Sequence, residues 1–349
     1  MTELPRQLAE GVERLLEGVS ARDLGRAADD LSAKYRQKHA RRAPVARSQA
    51  EILAYAATRL PATYAAISAV LTELRELRPH WRPRMLLDLG AGPGAGLWSA
   101  AAAWPALERA VAVDAEGRMI ALGRQLAGAA PHLVVRSTRW VQASVADPLP
   151  DGPYDLVLLS YVLGELDAAG RDRAVDHAAE ATDGPAGLTV VIEPGTPEGY
   201  ARVLRARDRL LQRGGSVVAP CPHSGPCPLA GSDWCHFAVR LPRTAAHRAA
   251  KHADLGYEDE KLAYVAVARP PSEPALQVEP SVSPWARVLR HPQIRPRLVH
   301  LELCTPSGLK SDAVTRSDRE RFRLARKVPW GGRLPYTDDD HADDVARPP

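Results

Sequence analysis

Sulfur is scarce in this 349-residue chain, which carries three methionines and four cysteines. Four cysteines could form at most two disulfides, the minor reading for a chain that shows no secretion signal. The opening residues, MTELPRQLAEGVERLLEGV, bring acids early and lack the apolar centre of a secretion signal. Nothing in them directs the chain to an oxidising compartment. No apolar run approaches the roughly 20 residues that span a bilayer, so no membrane partner is expected. Lysine is nearly missing too, because 40 of the 46 basic residues are arginine. With abundant alanine and proline this reflects GC-rich codons, so arginine excess alone identifies no nucleic-acid binder. The formal net charge is only +4, and a phosphate-binding surface would need its positive charge gathered on one face.

Scarcity makes the placement of the cysteines informative. Cys221, Cys227 and Cys235 fall within one fifteen-residue stretch, CPHSGPCPLAGSDWC, and Cys304 follows after 68 further residues. Clustering in a loop of proline and glycine, without helical or strand period, argues for thiolate ligands of a metal centre rather than inert core packing or two disulfides. The Cys-x5-Cys-x7-Cys spacing departs from the close pairs of zinc ribbons and fingers, so spacing alone leaves zinc and an iron-sulfur centre both open. His223 and His236 are possible nitrogen ligands, although a plain loop role is the simpler reading of each.

Residues 1–80 predict a helical N-terminal domain, because Leu, Val and Ala recur every three or four residues, with Pro61 as punctuation. Within it Lys34–Arg42 is a compact basic segment, read as a solvated helix end before an RNA contact. Residues 81–270 alternate short apolar runs (MLLDLG, AVAVDA, LVVRSTRWVQA, YDLVLLS, LTVVIEP) with helical stretches, which predicts an α/β fold whose parallel sheet is covered by helices. A helix is expected over about 196–213, a cysteine-rich insertion over about 214–240, and two last strands in HFAVRLP and KLAYVAVARP. Residues 270–284 read as a linker, 284–335 as a basic β-rich C-terminal module containing Cys304 and the run Arg316–Lys327, and 336–349 as an acidic disordered tail.

The first strand runs into Asp88-Leu-Gly90-Ala-Gly92-Pro-Gly94 and then a helix, the order of a nucleotide-binding turn. Asp88 enters the turn and Asp114 closes the second strand, where a ribose hydroxyl would be bound. A turn built for pyrophosphate gains nothing from a carboxylate at its entrance, whereas S-adenosylmethionine has no phosphate and carries an ammonium group. The acids therefore favour S-adenosylmethionine over a dinucleotide. Asp147, after the third strand, is placed to meet the adenine amino group, or is an ordinary loop carboxylate. After strand four, Ser160-Tyr161-Val-Leu-Gly164-Glu165 contains no recognisable nucleophile; Tyr161 and Glu165 are candidates for lining the acceptor pocket, and Glu193–Glu198 for its rim. Methyl transfer needs mainly proximity and orientation, so a missing strong base does not exclude it.

RLPATYAA, LLDLGAGPGAG, LSYVLGEL, VIEPGTPEGY, APCPHSGPCPL, DWCHFAVRLPR and LCTPSG together resemble the methyltransferase-like family that associates with the small subunit of the mitochondrial ribosome, with its bacterial homologues. The resemblance spans residues 50–330, and the cysteine loop is its most specific piece. It implies a class I S-adenosylmethionine-dependent methyltransferase domain, with cofactor binding at Asp88, Gly90, Gly92, Gly94, Asp114 and Asp147. It also implies a 4Fe-4S cluster on Cys221, Cys227, Cys235 and Cys304, with zinc as the alternative. The implied partners are the small ribosomal subunit and its rRNA, in ribosome assembly or translation, with a monomer off the ribosome. No transit peptide is evident, so a bacterial cytoplasm is expected. A methyltransferase acting on rRNA, a non-catalytic assembly factor and a small-molecule methyltransferase with a zinc site are the functions to be separated.

Overall fold

The computed structural model describes residues 1–36, 48–182, 187–229, 231–269 and 284–336. The expected linker up to residue 283, the tail beyond Tyr336 and the basic segment after Arg36 lie outside the described residues.

The N-terminal region forms α1 (Arg6–Leu16), α2 (Ala21–Arg36), α3 (Gln49–Ala54), one π-helical turn (Tyr55–Arg59) and α4 (Leu60–Leu77). Ser48 starts α3 with a reciprocal cap: its hydroxyl accepts the Glu51 N–H at 3.2 Å while the Glu51 carboxylate accepts the Ser48 N–H. Pro61 lies in the first turn of α4, where a missing N–H costs nothing, so it begins a helix rather than breaking one. α1, α3 and α4 share a core with the sheet, whereas Leu24, Ala27 and Ala28 of α2 pack with Ala54, Ala57 and Ala250. Leu8, Ile52, Leu60, Ile67 and Leu74 share one apolar cluster with Leu86, Leu158 and Ile192 of the sheet.

The central sheet consists of β1 (Met85–Leu89), β2 (Arg109–Asp114), β3 (Arg139–Gln142), β4 (Leu156–Ser160), β5 (Leu188–Pro194), β6 (Ser216–Ala219), β7 (Phe237–Pro242) and β8 (Tyr257–Ala268). Its order is β3-β2-β1-β4-β5-β8-β6, with β8 antiparallel to both its neighbours and β7 paired to the first half of β8. This is the topology of class I methyltransferase domains. The helices α5 (Ala95–Ala103), α6 (Gly117–Ala127), α7 (Leu133–Arg136), α8 (Ala168–Ala181), α9 (Pro197–Gln212) and α10 (Ala245–Ala250) complete the layers. Leu86 and Leu87 of β1 point to opposite faces: Leu86 packs with α4 and α5, Leu87 with Val175 of α8 and Val203 of α9. Burial on both faces explains why these strands read as continuous apolar runs. In the run expected as the third strand, Leu133–Arg136 is helical and only Arg139–Gln142 is strand, since a short apolar run does not by itself distinguish the two. Ser216–Ala219, expected within the insertion, is a sheet strand, and Phe237 already opens β7. The loop proper is 220–236.

Beyond residue 284, β9 (Trp285–Val288), β10 (Gln293–Ile294), β11 (Leu298–Thr305), β12 (Gly308–Thr315) and β13 (Arg333–Pro335) form an antiparallel sheet with α11 (Arg319–Ala325). Val288, Val299, Leu301, Leu303, Val314 and Phe322 give this module its own core. Tyr336, assigned to the tail by sequence, is buried against it, its hydroxyl 3.2 Å from that of Ser307.

Candidate functional site

Two regions concentrate chemistry, and the first is the cleft at the carboxyl ends of β1, β2 and β4. Gly90 and Ala91 donate their N–H groups to the Val113 carbonyl at 2.8 and 3.0 Å, which lays the glycine turn against β2. Gly90 has φ +70°, and a side chain there would fall 2.5 Å from Val162; Gly92 has φ +54°. Only glycine fits such positions without strain. The Asp88 carboxylate is buried beneath the turn and accepts the Leu97 N–H at 3.0 Å, pressed against Gly96 of α5. Burial raises its pKa to about 7, opposed by the Leu97 N–H and reinforced by Asp114. Asp114 accepts N–H groups from Gly92 at 2.7 Å and from Glu116 at 2.8 Å, and its pKa is also raised by burial. The structure thus brings Asp88, Gly90, Gly92, Gly94 and Asp114 together. Asp147 is exposed, in the turn after β3 whose start is fixed by the Ala143 N–H on the Asp114 carbonyl at 3.0 Å.

The wall after β4 carries Tyr161 and Glu165. Tyr161 has φ +57°, the left-handed region that a bulky side chain occupies only under constraint. Its hydroxyl donates to Glu260 at 3.2 Å, and its own N–H to the Ile192 carbonyl at 2.7 Å. Glu165 is reached by solvent at the mouth, yet the crowding protein raises its pKa to about 8, with Asp114, Glu193 and Glu116 adding to the shift. Glu193 is fully buried, accepting the Leu163 N–H at 3.0 Å and Arg202 Nε at 2.6 Å, so it supports the wall rather than facing a ligand. Tyr55 was missed by sequence reasoning. Its hydroxyl lies 3.6 Å from where a side chain on Gly92 would begin, and burial pushes its pKa to about 12. The available signal was a tyrosine just ahead of a helix-opening Leu60-Pro61 pair, which periodicity assigns to the core.

The second region is a cavity of about 40 Å³ lined by Cys221, Cys227, Cys235 and Cys304 together with Tyr200, Arg207 and Arg287. Three thiols come from the loop 220–236 and the fourth from β11 of the C-terminal module. The Tyr200 hydroxyl and Cys227 Sγ are 3.1 Å apart, and Cys304 Sγ lies 3.5 Å from His223 Nε2. His236 stacks on Trp234 at 5.1 Å between centroids, and neither histidine lines the cavity. Two buried guanidiniums were not foreseen. Arg287 of β9 donates to the Pro220 carbonyl at 2.9 Å, to the Gly331 carbonyl at 2.6 Å and to the Glu73 carboxylate of α4. Arg207 of α9 donates to the Gly225 carbonyl at 2.5 Å. Burial pushes the Cys304 thiol up to about 12, with Cys221 and Cys227 adding to the shift while Arg287 and Arg207 oppose it. Cys221 and Cys235 are likewise raised by burial. Among the described residues no three His, Cys, Asp or Glu side chains are gathered so as to hold a single metal ion.

Among solved structures, an S-adenosylmethionine-dependent methyltransferase from Leishmania major aligns with 71% of this chain and 83% of its own at 14% identity, TM-score 0.42. The N-methyltransferase NodS from Bradyrhizobium japonicum, in complex with S-adenosyl-l-homocysteine, aligns with 58% and 86% at 15% identity, TM-score 0.37. By sequence, the chain is 30% identical over 303 residues to the human mitochondrial ribosome assembly protein METTL17, across 81% of this chain and 62% of that protein. It is 26% identical over 334 residues to Rsm22-cox11 tandem protein 2, mitochondrial, of Schizosaccharomyces pombe, across 82% and 43%. The chain therefore spans less than two thirds of either relative's length. The family model for the mitochondrial small ribosomal subunit protein Rsm22 matches residues 49–335, an interval that contains both the cleft and the thiol cavity, and the chain belongs to that family.

Proposed function

We propose that this chain binds S-adenosylmethionine in the cleft and acts on the small ribosomal subunit or its rRNA, with a 4Fe-4S cluster stabilising the assembly of its two modules. The observation that carries the first half is where the turn's N–H groups go. Gly92 N–H is taken by Asp114 and Leu97 N–H by Asp88, so carboxylates stand where a dinucleotide site would offer donors to pyrophosphate. Such a turn repels phosphate and suits a ligand bearing ammonium and sulfonium groups. The cofactor would supply an activated methyl group; the chain's own residues orient it, Asp114 toward the ribose hydroxyls and the exposed turn of Asp147 beside the adenine.

Four thiols around one cavity, flanked by the buried cations Arg207 and Arg287, fit a cluster whose ligands are thiolates and whose overall charge is negative. Cys221, Cys227, Cys235 and Cys304 would hold it, and its role here is cross-linking. A reducing, cytoplasmic setting of bacterial type suits thiols kept unpaired. The relatives' names supply the ribosomal partner. Exposed Arg295, Arg297, Arg316, Arg319, Arg323 and Lys327 on the C-terminal module supply a surface for an RNA backbone.

A non-catalytic assembly factor is the second reading, in keeping with the printed name of the human relative, a mitochondrial ribosome assembly protein. Mapping small-subunit rRNA methylation in cells with the wild-type gene, without it, and with Gly92→Val separates the two. A methyl mark lost in both altered strains supports the enzyme; unchanged methylation with intact ribosome association in the Gly92→Val strain supports the assembly factor.

A further inference from the structure

S-adenosylmethionine carries an α-carboxylate as well as its two cationic centres, and an acidic cleft has to answer that charge. Asp88, Asp114, Glu116, Glu165 and Glu260 surround the cleft described above. The π-helical turn Tyr55–Arg59 brings a cation, Arg59, to this cleft. Its three central residues, Ala56, Ala57 and Thr58, are buried, while Tyr55 and Arg59 at its ends are half-buried. With about 4.4 residues to a π-turn, positions four apart lie on one face, so the side chains of Tyr55 and Arg59 project on the same side. Tyr55 fixes which side that is, because its hydroxyl reaches the glycine turn at Gly92.

Electrostatics place Arg59 at the other edge of the same opening. Burial raises the pKa of Tyr55, Tyr161 and Glu260, and in each case Arg59 is the largest influence opposing that rise. Tyr161 follows β4 and Gly92 follows β1, which are neighbouring strands. The turn therefore roofs the crevice at their carboxyl ends, the place where open α/β sheets bind ligands. A π-turn inside a helix is an uncommon conformation and recurs at functional sites. Here it lets one short segment present an aromatic hydroxyl and a guanidinium together.

The geometry points to Arg59 as the residue that receives the α-carboxylate of the cofactor's methionyl group, beneath the roof formed by Tyr55. This assignment rests on the S-adenosylmethionine reading above and gives the helical N-terminal layer a direct part in ligand recognition. A guanidinium–carboxylate pair in a partly buried site is a strong, oriented contact.

The test crosses a change in the protein with a change in the ligand. S-adenosylhomocysteine has the amino-acid group; 5′-methylthioadenosine shares its adenosine and sulfur but has no carboxylate. Calorimetric titration of the full chain should show Arg59→Gln weakening S-adenosylhomocysteine roughly tenfold to a hundredfold while 5′-methylthioadenosine binds as to wild type. Arg59→Lys, which keeps the charge without the fork, should fall between. Unchanged methylthioadenosine binding also shows that the variant is folded. Equal weakening of both ligands in Arg59→Gln and Arg59→Lys alike, or no weakening of either, overturns the assignment. Wild-type protein that binds neither ligand overturns the cofactor reading itself and the assignment with it.

Discussion

The cleft and the thiol cavity differ in how far apart in sequence their parts lie. The cleft's frame, Asp88 to Asp114, is built within 27 consecutive residues at the ends of two adjacent strands. The cavity draws on α9, the loop 220–236, β9 and β11, and its anchor Arg287 reaches back to Glu73. Their charge differs as well: the cleft gathers carboxylates whose pKa values burial has raised, the cavity gathers thiols between two buried guanidiniums. A local motif can be made by a strand, a turn and a helix, and it serves a small ligand. An assembly of distant parts constrains the relative position of modules. The cavity is accordingly read as a clamp, and the cleft as the place for chemistry.

The largest expected effect tests whether the clamp is independent of the cleft. Arg287→Met removes the contacts to Pro220 and Gly331 and the buried ion pair with Glu73, which keeps only the Tyr264 hydroxyl and the more distant Arg333. A loss of about 3–5 kcal/mol in denaturant unfolding is expected. S-adenosylhomocysteine affinity of the folded fraction should stay within about twofold of wild type. Gly92→Val is the converse. A β-branched residue at φ +54° beside Tyr55 should lower S-adenosylhomocysteine affinity by about a hundredfold or more in calorimetry, with metal content unaltered.

The next effect depends on pH. The folded pKa of Asp88, about 7, lies above its ordinary value of 3.8, so the native state holds the proton more tightly than the unfolded state does. Stability of the ligand-free protein should therefore fall as pH rises from about 4 to about 7, and Asp88→Asn should flatten that slope. Cationic S-adenosylmethionine favours ionised Asp88 and Glu165, whose pKa is about 8, so its affinity should rise from about pH 6 to about pH 7.5, above which loss of charge from the ligand's own α-amino group opposes the rise. Glu165→Gln should remove the upper part of that rise. The smallest effect belongs to Asp147→Asn, in an exposed turn, where a change in S-adenosylhomocysteine affinity below about threefold is expected.

The same contrast explains what could be read from the chain alone. The glycine turn was legible because strand, turn and helix are contiguous, and the gathering of the four cysteines was legible because the residue is otherwise unused. Arg207 and Arg287 were not, since an arginine among 46 basic residues acquires meaning only when the fold buries it beside thiols. Tyr55 and Arg59 were hidden by an apolar helical pattern whose one π-turn leaves no periodic trace. Ser216–Ala219 was missed as a strand because four residues between glycines and a proline are too few for a pattern, and the sheet supplies their pairing through β8. The N-terminal helices read as a domain because periodicity reports an apolar face but not what covers it. In α1, α3 and α4 that face meets the sheet.

The proposed clamp requires the four cysteines to hold an iron-sulfur cluster that fastens the C-terminal module to the α/β domain. Anaerobic purification of the full chain followed by assay of iron and acid-labile sulfide tests it most directly. About four iron and four sulfide per chain, lost when Cys304 is replaced by alanine, is the predicted result. Colourless protein holding stoichiometric zinc would contradict it.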